Sequence, residues 1–466
     1  MTQAATADQA QEHVVSESEV KRAVAAAGLG NALEWFDFGI YSYMAATIGY
    51  VFFPSESGTA SLIGSFAVFA IAFVARPLGG FYFGPLGDKI GRNKVLAYTI
   101  IMMSGATFCI GLIPGHATIG VWAPILLIVF RLIQGFSTGG EYGGAATFIA
   151  EFSPDEKRGY LGSWLEFGTL GGYSLGAVLV TAISIMLSAE QFETWGWRIP
   201  FFIAGPLGLF GLWMRLKLKE SPAFEQNLAD TKKKDPTFHE ILIVNLRLLA
   251  LCIGLVLILN IAYYTVLSYL PTYLTEVLRM DSSRSLVFLV LMMLAMMCVV
   301  GVVGKISDRF GRRPVLLAAC VGFVVLAYPA FWLLAQGSAI TTIVGLAVIG
   351  GLVSLLAGTM PATLPAIFPT HIRYGGLAIS YNISTALFGG TAPLVITWLI
   401  TSTGDNFVPA YYLMFAAAIA IGPILAIPES AGRPLVGSMA MRGQADDFGP
   451  DAVEQPVPPP AGAAKS

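Results

Sequence analysis

Long apolar segments alternate with short polar ones over most of this 466-residue chain. A helix of about 20 apolar residues crosses the hydrocarbon core of a bilayer, and most of these segments reach that length. We therefore predict twelve membrane-spanning helices, which we number as spans 1 to 12. They lie at residues 24–53, 61–83, 95–114, 121–148, 160–187, 199–216, 244–270, 285–303, 315–336, 341–366, 375–401 and 409–427.

A polar interruption that contains Lys232, Lys233 and Lys234 separates the first six spans from the last six. We expect it to be a linker between two bundles. The stretch after span 12 is rich in Pro, Ala and Gly, which is typical of a disordered tail. The predicted organisation is an N-terminal segment at 1–23, a first bundle at 24–218, the linker at 219–243, a second bundle at 244–428 and the tail at 429–466.

A short charged motif occurs once in each half, as GPLGDKIGR and as GKISDRFGR. Asp88 and Arg92 in the first copy correspond to Asp308 and Arg312 in the second. Many secondary transporters are built from such internal repeats. The predicted fold class is an all-α integral membrane protein whose twelve transmembrane helices form two pseudo-symmetric six-helix bundles.

Basic residues concentrate in the loops that follow even-numbered spans, whereas the opposite loops are mainly acidic. Because Lys and Arg in short loops stay on the cytoplasmic side, we expect these loops and both termini to face the cytoplasm. The first 20 residues are polar and lack the apolar region of a cleaved signal peptide, so we expect span 1 to direct insertion.

The composition supports a membrane protein and argues against several other classes. Hydrophobic residues make up 55% of the chain and charged residues 12%, with a mean hydropathy of +0.70. The four cysteines fall inside predicted spans, and the four histidines lack metal-ligand spacing. We expect no metal, no cofactor and no nucleic-acid partner. The chain also lacks a recognisable nucleophile and base arrangement, so we do not expect an enzyme.

Six charged residues lie within the predicted spans, where a charge costs at least roughly 2.5–3.5 kcal/mol. All six belong to the first half, and we assign them to the handling of a proton. They are Glu34, Asp37, Arg76, Arg131, Glu141 and Glu166.

Glu34 and Asp37 are three residues apart, so they share a helical face near the middle of the bilayer. Two close carboxylates in a low dielectric disfavour double ionisation, so one of them would hold a proton near neutral pH. We predict that Asp37, together with Glu34, is the protonation site. The alternative is that both are permanent salt-bridge partners of Arg76 or Arg131.

Arg131 and Glu141 follow one side of span 4. One interpretation is that a buried Arg releases a carboxylate when its partner changes. The other is a static Arg–Glu clamp between helices. The sequence favours neither.

The two copies of the motif suggest a gate at the cytoplasmic turns. Asp88 and Asp308 would accept backbone N–H groups at the start of the following helix and pair with Arg92 and Arg312. We predict a latch that holds the halves together in one state; the alternative is that the basic residues only set the orientation.

Prolines provide a second candidate for a moving element. Pro361, Pro365 and Pro369 at the end of span 10 each remove a backbone hydrogen bond, so we expect a bent or broken helix. It would act either as part of a gate or as a kink that serves packing.

Aromatic and amide side chains crowd the predicted centre. Some of them would enclose an ammonium group by cation–π attraction. Four intramembrane acids against two arginines favour a proton, a zwitterion or a cationic head over a polyanion. The predicted substrate-binding residues are Trp35, Tyr41, Trp164 and Tyr173 in the first half and Asn260, Tyr263, Tyr264, Tyr381 and Asn382 in the second.

Several motifs together resemble the metabolite:proton symporter family of the major facilitator superfamily. They are GNALEWFDF at 30–38, RPLGG at 76–80, GGEY at 139–142 and WGWRIP at 195–200. Within that family, GSWLEFG at 162–168 and TLPAIFPTHIRY at 363–374 are most similar to the osmosensory symporters of proline and glycine betaine.

The resemblance implies a proton-coupled secondary transporter in the bacterial cytoplasmic membrane. It would import a compatible solute such as proline or glycine betaine by alternating access, with stimulation at high osmolality. We expect a monomer to be sufficient for transport and leave the oligomeric state open. Two other interpretations stay open. A symporter of 2-oxoglutarate, citrate or shikimate would leave Arg76 or Arg131 unpaired toward the cavity. A membrane receptor or enzyme would bind its ligand without net flux.

Overall fold

The structure is a computed structural model that describes residues 13–15, 17–90, 92–216, 245–436 and 441–443. Helices account for almost all of these residues. The predicted linker lies outside the described residues, as do most of the N-terminal segment and most of the tail.

The first half contains the six predicted spans in order, each as one helix or as two consecutive helices. Short helices at His116–Ile119, Asp155–Lys157, Ala189–Gln191 and Phe192–Gly196 connect some of them. The spans themselves are Glu17–Tyr43 with Ala45–Phe52, Gly58–Ile90, Arg92–Leu112, Trp122–Ser137 with Glu141–Phe152, Arg158–Met186 and Arg198–Leu216.

The second half repeats the arrangement, with π-helical turns inserted in spans 7 and 11. Span 7 runs through Leu246–Tyr263, Tyr264–Tyr269, Leu270–Thr272 and Tyr273–Val277. The other spans are Ser282–Phe310, Arg312–Ala335, Ala339–Ala366, Thr370–Ser384 with Thr385–Gly389 and Ala392–Thr403, and Val408–Ala426.

The prediction of twelve helical spans is confirmed. In the described part of the chain, nine helices are long and apolar enough to cross a membrane. Spans 3 and 6 contain the shorter apolar helices Ala97–Leu112 and Arg198–Trp213. Span 1 carries Glu34 and Asp37 in its longer helix, which explains its lower hydropathy.

Glycines let the helices of spans 1 and 5 approach closely. A Cβ atom on Gly168 would lie 2.2 Å from the carbonyl oxygen of Gly28, and one on Gly172 would lie 2.2 Å from that of Ala32. Small residues permit such backbone contact between membrane helices. Span 5 is therefore fixed against span 1.

Span 5 also carries the contact between the two halves, because it packs against span 8 and span 10. A Cβ atom on Gly304 of span 8 would lie 2.7 Å from the carbonyl oxygen of Gly159 at the start of span 5. Asp308 and Arg312 lie next to this contact. We call this end of the molecule, with the helix starts at Arg158 and Thr370, the motif end.

Span 10 differs from the expected broken helix. It continues through Pro361 and Pro365 to Ala366 and is buried there. Arginine side chains donate to carbonyls near the end of this helix: Arg373 Nε to the Pro365 oxygen at 3.2 Å, and Arg312 Nη1 to the Ala362 oxygen at 3.2 Å. Pro369, just after the helix, has no N–H for the Pro365 oxygen, so Arg373 supplies a donor there. Pro361 and Pro365 themselves do not break the helix.

Part of the predicted tail contacts both halves at the motif end. Leu435 is buried in a small apolar cluster with Ala150 of span 4 and Ala366 of span 10. The carbonyl oxygen of Val436 accepts a hydrogen bond of 2.8 Å from Arg373 Nη2. Further along the tail, strand β2 (Met441–Gly443) pairs in parallel with strand β1 (His13–Val15).

Candidate functional site

Glu34 and Arg76 form a buried salt bridge in the middle of the first half. Arg76 Nη2 lies 2.6 Å from Glu34 Oε1, and both side chains are at most 1% exposed. The same nitrogen is 3.4 Å from the carbonyl oxygen of Thr138. Of the two interpretations of Glu34 and Asp37, the salt bridge with an arginine therefore applies to Glu34.

Asp37 has a different environment, although it lies on the same helical face. Its Oδ2 accepts a hydrogen bond of 2.9 Å from Thr107 Oγ1. Gln134 Nε2 in turn donates to Thr107 Oγ1 at 3.0 Å, and Arg131 Nη1 donates to Gln134 Oε1. Among the described residues, no cationic group lies within 4.0 Å of the Asp37 carboxylate. Asp37 and Arg131 are joined through neutral side chains rather than paired.

Glu141 and Arg131 are not paired with each other, so the static clamp, one of the two interpretations of these residues, is not formed. Thr99 Oγ1 donates to Glu141 Oε1 at 2.9 Å, while Arg131 contacts Gln134. Glu141 also lies close enough to Glu34 for the two carboxyl groups to interact. The acids Glu34, Asp37 and Glu141 thus form one buried polar layer with the two arginines.

Glu166 is the fourth acid, and it connects the two halves. Its Oε1 accepts a hydrogen bond of 2.6 Å from Tyr142, and its Oε2 accepts one of 2.7 Å from Tyr263 of the second half. The Tyr142 ring stacks on Tyr381, also of the second half, with centroids 4.0 Å apart. Predicted residues from both halves therefore meet at this carboxylate.

Six buried aromatic rings lie beside the polar layer, and we call them the aromatic cluster. Five come from the first half, and Tyr264 comes from the second. Representative centroid distances are 5.3 Å between Trp35 and Tyr173 and 5.1 Å between Phe73 and Tyr264. The members are Trp35, Phe38, Phe69, Phe73, Tyr173 and Tyr264.

Both arginines contact aromatic faces. The Arg76 guanidinium lies 5.6 Å from the centre of the Phe73 ring. The Arg131 guanidinium lies 4.1 Å from the centre of the Tyr41 ring and 5.4 Å from that of Phe69. The cluster and the polar layer are thus one continuous region.

The predicted amides occupy the second half and its boundary. Asn382 Nδ2 donates to the carbonyl oxygen of Gly139, which joins span 11 to span 4. Asn260 Nδ2 donates to Thr385 Oγ1 at 3.2 Å. Asn260 therefore bonds to the π-helical turn of span 11 within its own half.

Trp164 is the predicted substrate residue that the structure places elsewhere. Its side chain is 38% exposed, and its ring packs against Phe167 at 4.9 Å and Tyr160 at 6.2 Å. Tyr173, on the opposite face of span 5, is the residue of this helix that belongs to the aromatic cluster. Trp164 thus belongs to the outer surface of the helix.

Asp308 accepts backbone N–H groups as predicted for the latch, but they belong to a different helix. Asp308 Oδ1 accepts from the Gly159 N–H at 2.7 Å and Oδ2 from the Tyr160 N–H at 2.8 Å. These groups begin span 5 of the other half, not the following helix. Arg312 Nη2 lies 3.7 Å from Asp308. The side chains of Asp88 and Arg92 lie outside the part that the structure describes.

Glu429 caps the helix that follows Asp308. Its carboxylate accepts backbone N–H groups of Arg312 and Arg313, both at 3.0 Å, and of Ser430 and Ala431, both at 2.9 Å. Burial alone would raise the pKa of Glu429, but these hydrogen bonds outweigh it and hold the pKa below its usual value.

A second link between the halves lies nearby, where Arg373 Nη1 is 2.8 Å from Glu151 Oε1. This pair was not predicted from the sequence. The repeated pattern Pro-x-x-x-Arg, which ends at Arg158 and again at Arg373, could have pointed to Arg373 as a functional residue. Phe69 and Phe73 were also missed, although their spacing places them on the helical face of Arg76.

The fold defines a multi-pass membrane transporter of small solutes, with a buried charged layer in the first half beside an aromatic cluster to which both halves contribute. The sequence profile of the Major Facilitator Superfamily matches residues 27–390. The chain belongs to this superfamily.

Curated relatives are similar over most of the chain. It is 46% identical over 434 residues to the "Proline/betaine transporter" of Salmonella typhimurium, which covers 91% of this chain and 87% of the relative. It is 45% identical to the "Glycine betaine/proline/ectoine/pipecolic acid transporter OusA" of Dickeya dadantii, with coverage of 91% and 86%.

Solved structures support the fold. The proton:xylose symporter XylE bound to 6-bromo-6-deoxy-D-glucose matches with a TM-score of 0.75 at 17% identity, covering 90% of this chain and 98% of that one. The partially occluded inward-open XylE from E. coli matches with a TM-score of 0.71 at 18% identity, covering 90% and 100%.

Proposed function

We propose that this protein imports a compatible solute such as proline or glycine betaine together with protons, by alternating access. The observation that carries the proposal is the aromatic cluster, which both halves build beside a buried layer of carboxylates. The names of the relatives support the same solutes.

The aromatic cluster suits the cationic end of such a solute. Aromatic faces attract a quaternary or secondary ammonium, with about 0.5–2 kcal/mol per contact depending on desolvation. Trp35 and Tyr173 are stacked, and Tyr264 meets Trp35 edge-on at 5.9 Å. Because Tyr264 belongs to the second half, a solute held here would contact both bundles.

Asp37 is the acid that we assign to the transported proton. A buried carboxylate without a cation is costly to ionise, and Asp37 has Thr107 as its hydrogen-bond partner. Glu34 is neutralised by Arg76. Glu141 and Glu166 would respond to the charge of this layer rather than carry the proton.

The motif end is the gate in this proposal, and it faces the cytoplasm with both termini. Asp308 with the start of span 5, and Arg373 with Glu151, hold the bundles together there. The bundles at 24–218 and 244–428 would separate at this end to release the solute. A single chain contains all of these parts, so a monomer suffices for transport in a bacterial cytoplasmic membrane.

Uptake into proteoliposomes tests the proposal. Purified protein is reconstituted, an inward proton gradient is imposed, and labelled glycine betaine and proline are supplied at low and high osmolality. We expect accumulation that collapses when a protonophore is added. Protein-free liposomes and the variant Glu190→Gln, at an exposed position of the short helix Ala189–Gln191 between spans 5 and 6, are the controls. Absence of gradient-driven uptake of both solutes would overturn the proposal.

One observation favours the organic-acid symporter as a second candidate. Arg131 makes no ion pair among the described residues, as a carrier of anions would require. Competition by citrate, 2-oxoglutarate and shikimate in the same vesicles separates the two. Uptake of one of these acids without uptake of betaine would select the second candidate.

A further inference from the structure

Two buried side chains at the aromatic cluster have hydrogen-bond donors without an acceptor among the described residues. The unpaired donors are Nε and Nη2 of Arg131 and the hydroxyl group of Tyr264. Both side chains are 0% exposed. Buried donors are normally paired, so unpaired ones call for an explanation.

These donors come from opposite halves and share a neighbour. The Arg131 guanidinium lies 5.4 Å from the centre of the Phe69 ring, and the Tyr264 ring centre lies 6.1 Å from that of Phe69. Span 4 presents Arg131 and span 7 presents Tyr264. A ligand group between them would contact both bundles at once.

The charge balance distinguishes Arg131 from Arg76. Arg76 also has unpaired nitrogens, but Glu34 at 2.6 Å offsets its charge. Among the described residues, Arg131 has one side-chain hydrogen-bond partner, the neutral amide of Gln134. The guanidinium of Arg131 therefore keeps a positive charge and a free N–H edge. A carboxylate matches that edge, because a guanidinium donates two parallel N–H groups to its oxygens.

We propose that Arg131 and Tyr264 bind the carboxylate of the transported zwitterion, while the other rings of the aromatic cluster hold its ammonium end. This inference rests on the proposed function and says which residues bind each end of the proposed substrate. Both carboxylate oxygens accept from the Arg131 N–H edge, and one of them also accepts from the Tyr264 hydroxyl. The solute thereby links the first half to the second and favours their closure around it.

The test compares glycine betaine with choline, which has the same quaternary ammonium and no carboxylate. Binding to purified protein in detergent is followed by the fluorescence of tryptophan, since Trp35 lies in the cluster. The wild type should bind betaine more tightly than choline. Arg131→Gln should weaken betaine binding on the order of 10- to 100-fold and should not weaken choline binding, because choline has no carboxylate and the lost positive charge repels its ammonium group. Arg131→Lys should restore part of the loss.

Tyr264→Phe should weaken betaine binding by a smaller factor, on the order of tenfold, because a neutral donor contributes less than a charged one. Tyr273→Phe is the matched control. Tyr273 is also a buried tyrosine of the second half whose hydroxyl lacks a partner, but its ring packs against Phe331 away from the cluster. This variant should bind both ligands as the wild type does.

Each outcome has a separate meaning. Equal betaine affinity in the wild type and Arg131→Gln would overturn this inference and leave the proposed function intact. Equal weakening of betaine and choline would also overturn it, because it would show a structural role for Arg131. Failure of the wild type to bind betaine would instead overturn the proposed function and, with it, the substrate assigned here.

Discussion

Glu166 of the first half accepts a hydrogen bond of 2.7 Å from the hydroxyl group of Tyr263 in the second half. Both residues are buried, and Tyr142 occupies the other carboxylate oxygen at 2.6 Å. The bond therefore joins the two bundles at a point where water does not compete. It belongs to the state in which the halves are closed around the site.

Removing the Tyr263 hydroxyl should destabilise this state. Removing one partner of a buried hydrogen bond leaves the other unsatisfied and costs about 1–3 kcal/mol, so Tyr263→Phe should lower the melting temperature in detergent by several degrees. Tyr273→Phe removes a hydroxyl that has no hydrogen-bond partner among the described residues and should leave the melting temperature unchanged. An unaltered melting temperature in Tyr263→Phe would show that the bond contributes nothing to the closed state.

Asp37→Asn should separate solute exchange from proton coupling. The amide still accepts from Thr107 but cannot release a proton, so the site stays neutral throughout the cycle. We expect exchange of labelled betaine across proteoliposomes to persist and gradient-driven accumulation to disappear. Accumulation at the wild-type level would exclude Asp37 as the coupling acid. Glu190→Gln provides the control for a general effect of removing a carboxylate.

The spans could be predicted because each is a run of about 20 apolar residues, and the charged positions stood out against that background. The partners of those charged residues could not be predicted. Glu34 meets Arg76 across 42 positions of the chain, and Asp37 meets Thr107 across 70. Which helices lie side by side decides these contacts, and apolar spans carry little information about their neighbours.

Trp164 shows the same limit for aromatic residues. A membrane helix accepts an aromatic side chain both toward lipid and toward an internal site, so type and spacing do not distinguish the two. Tyr173, nine positions later, faces the aromatic cluster, whereas Trp164 is 38% exposed. For Asp308, the sequence correctly predicted that the carboxylate accepts backbone N–H groups at the start of a helix. It assigned these groups to the wrong helix, because the true partner, Gly159, lies 149 positions away in the chain.

Gly168→Ala should disrupt the packing of span 5 on span 1. The added Cβ would lie 2.2 Å from the carbonyl oxygen of Gly28, and a backbone atom cannot move aside as a flexible side chain does. Overpacking of this kind costs about 1–3 kcal/mol, and we expect a lower yield of folded protein and a reduced melting temperature. Gly171→Ala is the control on the same helix, since its Cβ would meet only Met297 at 3.7 Å. Equal stability of the two variants would refute the close contact.

Asp308→Asn should open the motif end more often. The substitution removes the charge that faces the start of span 5 and leaves one acceptor for the Gly159 and Tyr160 N–H groups. A cysteine introduced at Ser163, which is 1% exposed, should then react with an impermeant maleimide about tenfold faster, for a loss of roughly 1.4 kcal/mol. Asp281→Asn, at the opposite end of the same helix where Asp281 caps Arg284, should not change the rate. No acceleration would mean that Asp308 does not act as a latch.

The cap at Glu429 should give the motif end a pH dependence in the acidic range. The pKa of Glu429 is lower in the folded protein than its usual value because of the backbone N–H groups that it accepts. A group with a depressed pKa contributes stability above its unfolded pKa, about 4.3 for Glu, and that contribution is lost as the pH falls through the lower folded value. Glu429→Gln should therefore melt at a lower temperature than the wild type at pH 7.

The same comparison at lower pH tests the cause. The difference in melting temperature between wild type and Glu429→Gln should be constant between pH 7 and about pH 5 and should shrink below about pH 4. Arginine side chains stay charged in acidic solution, so the change reports the carboxylate. A difference that persists unchanged at the lowest pH would show that the variant acts through packing, and that the charge of Glu429 does not stabilise the start of span 9.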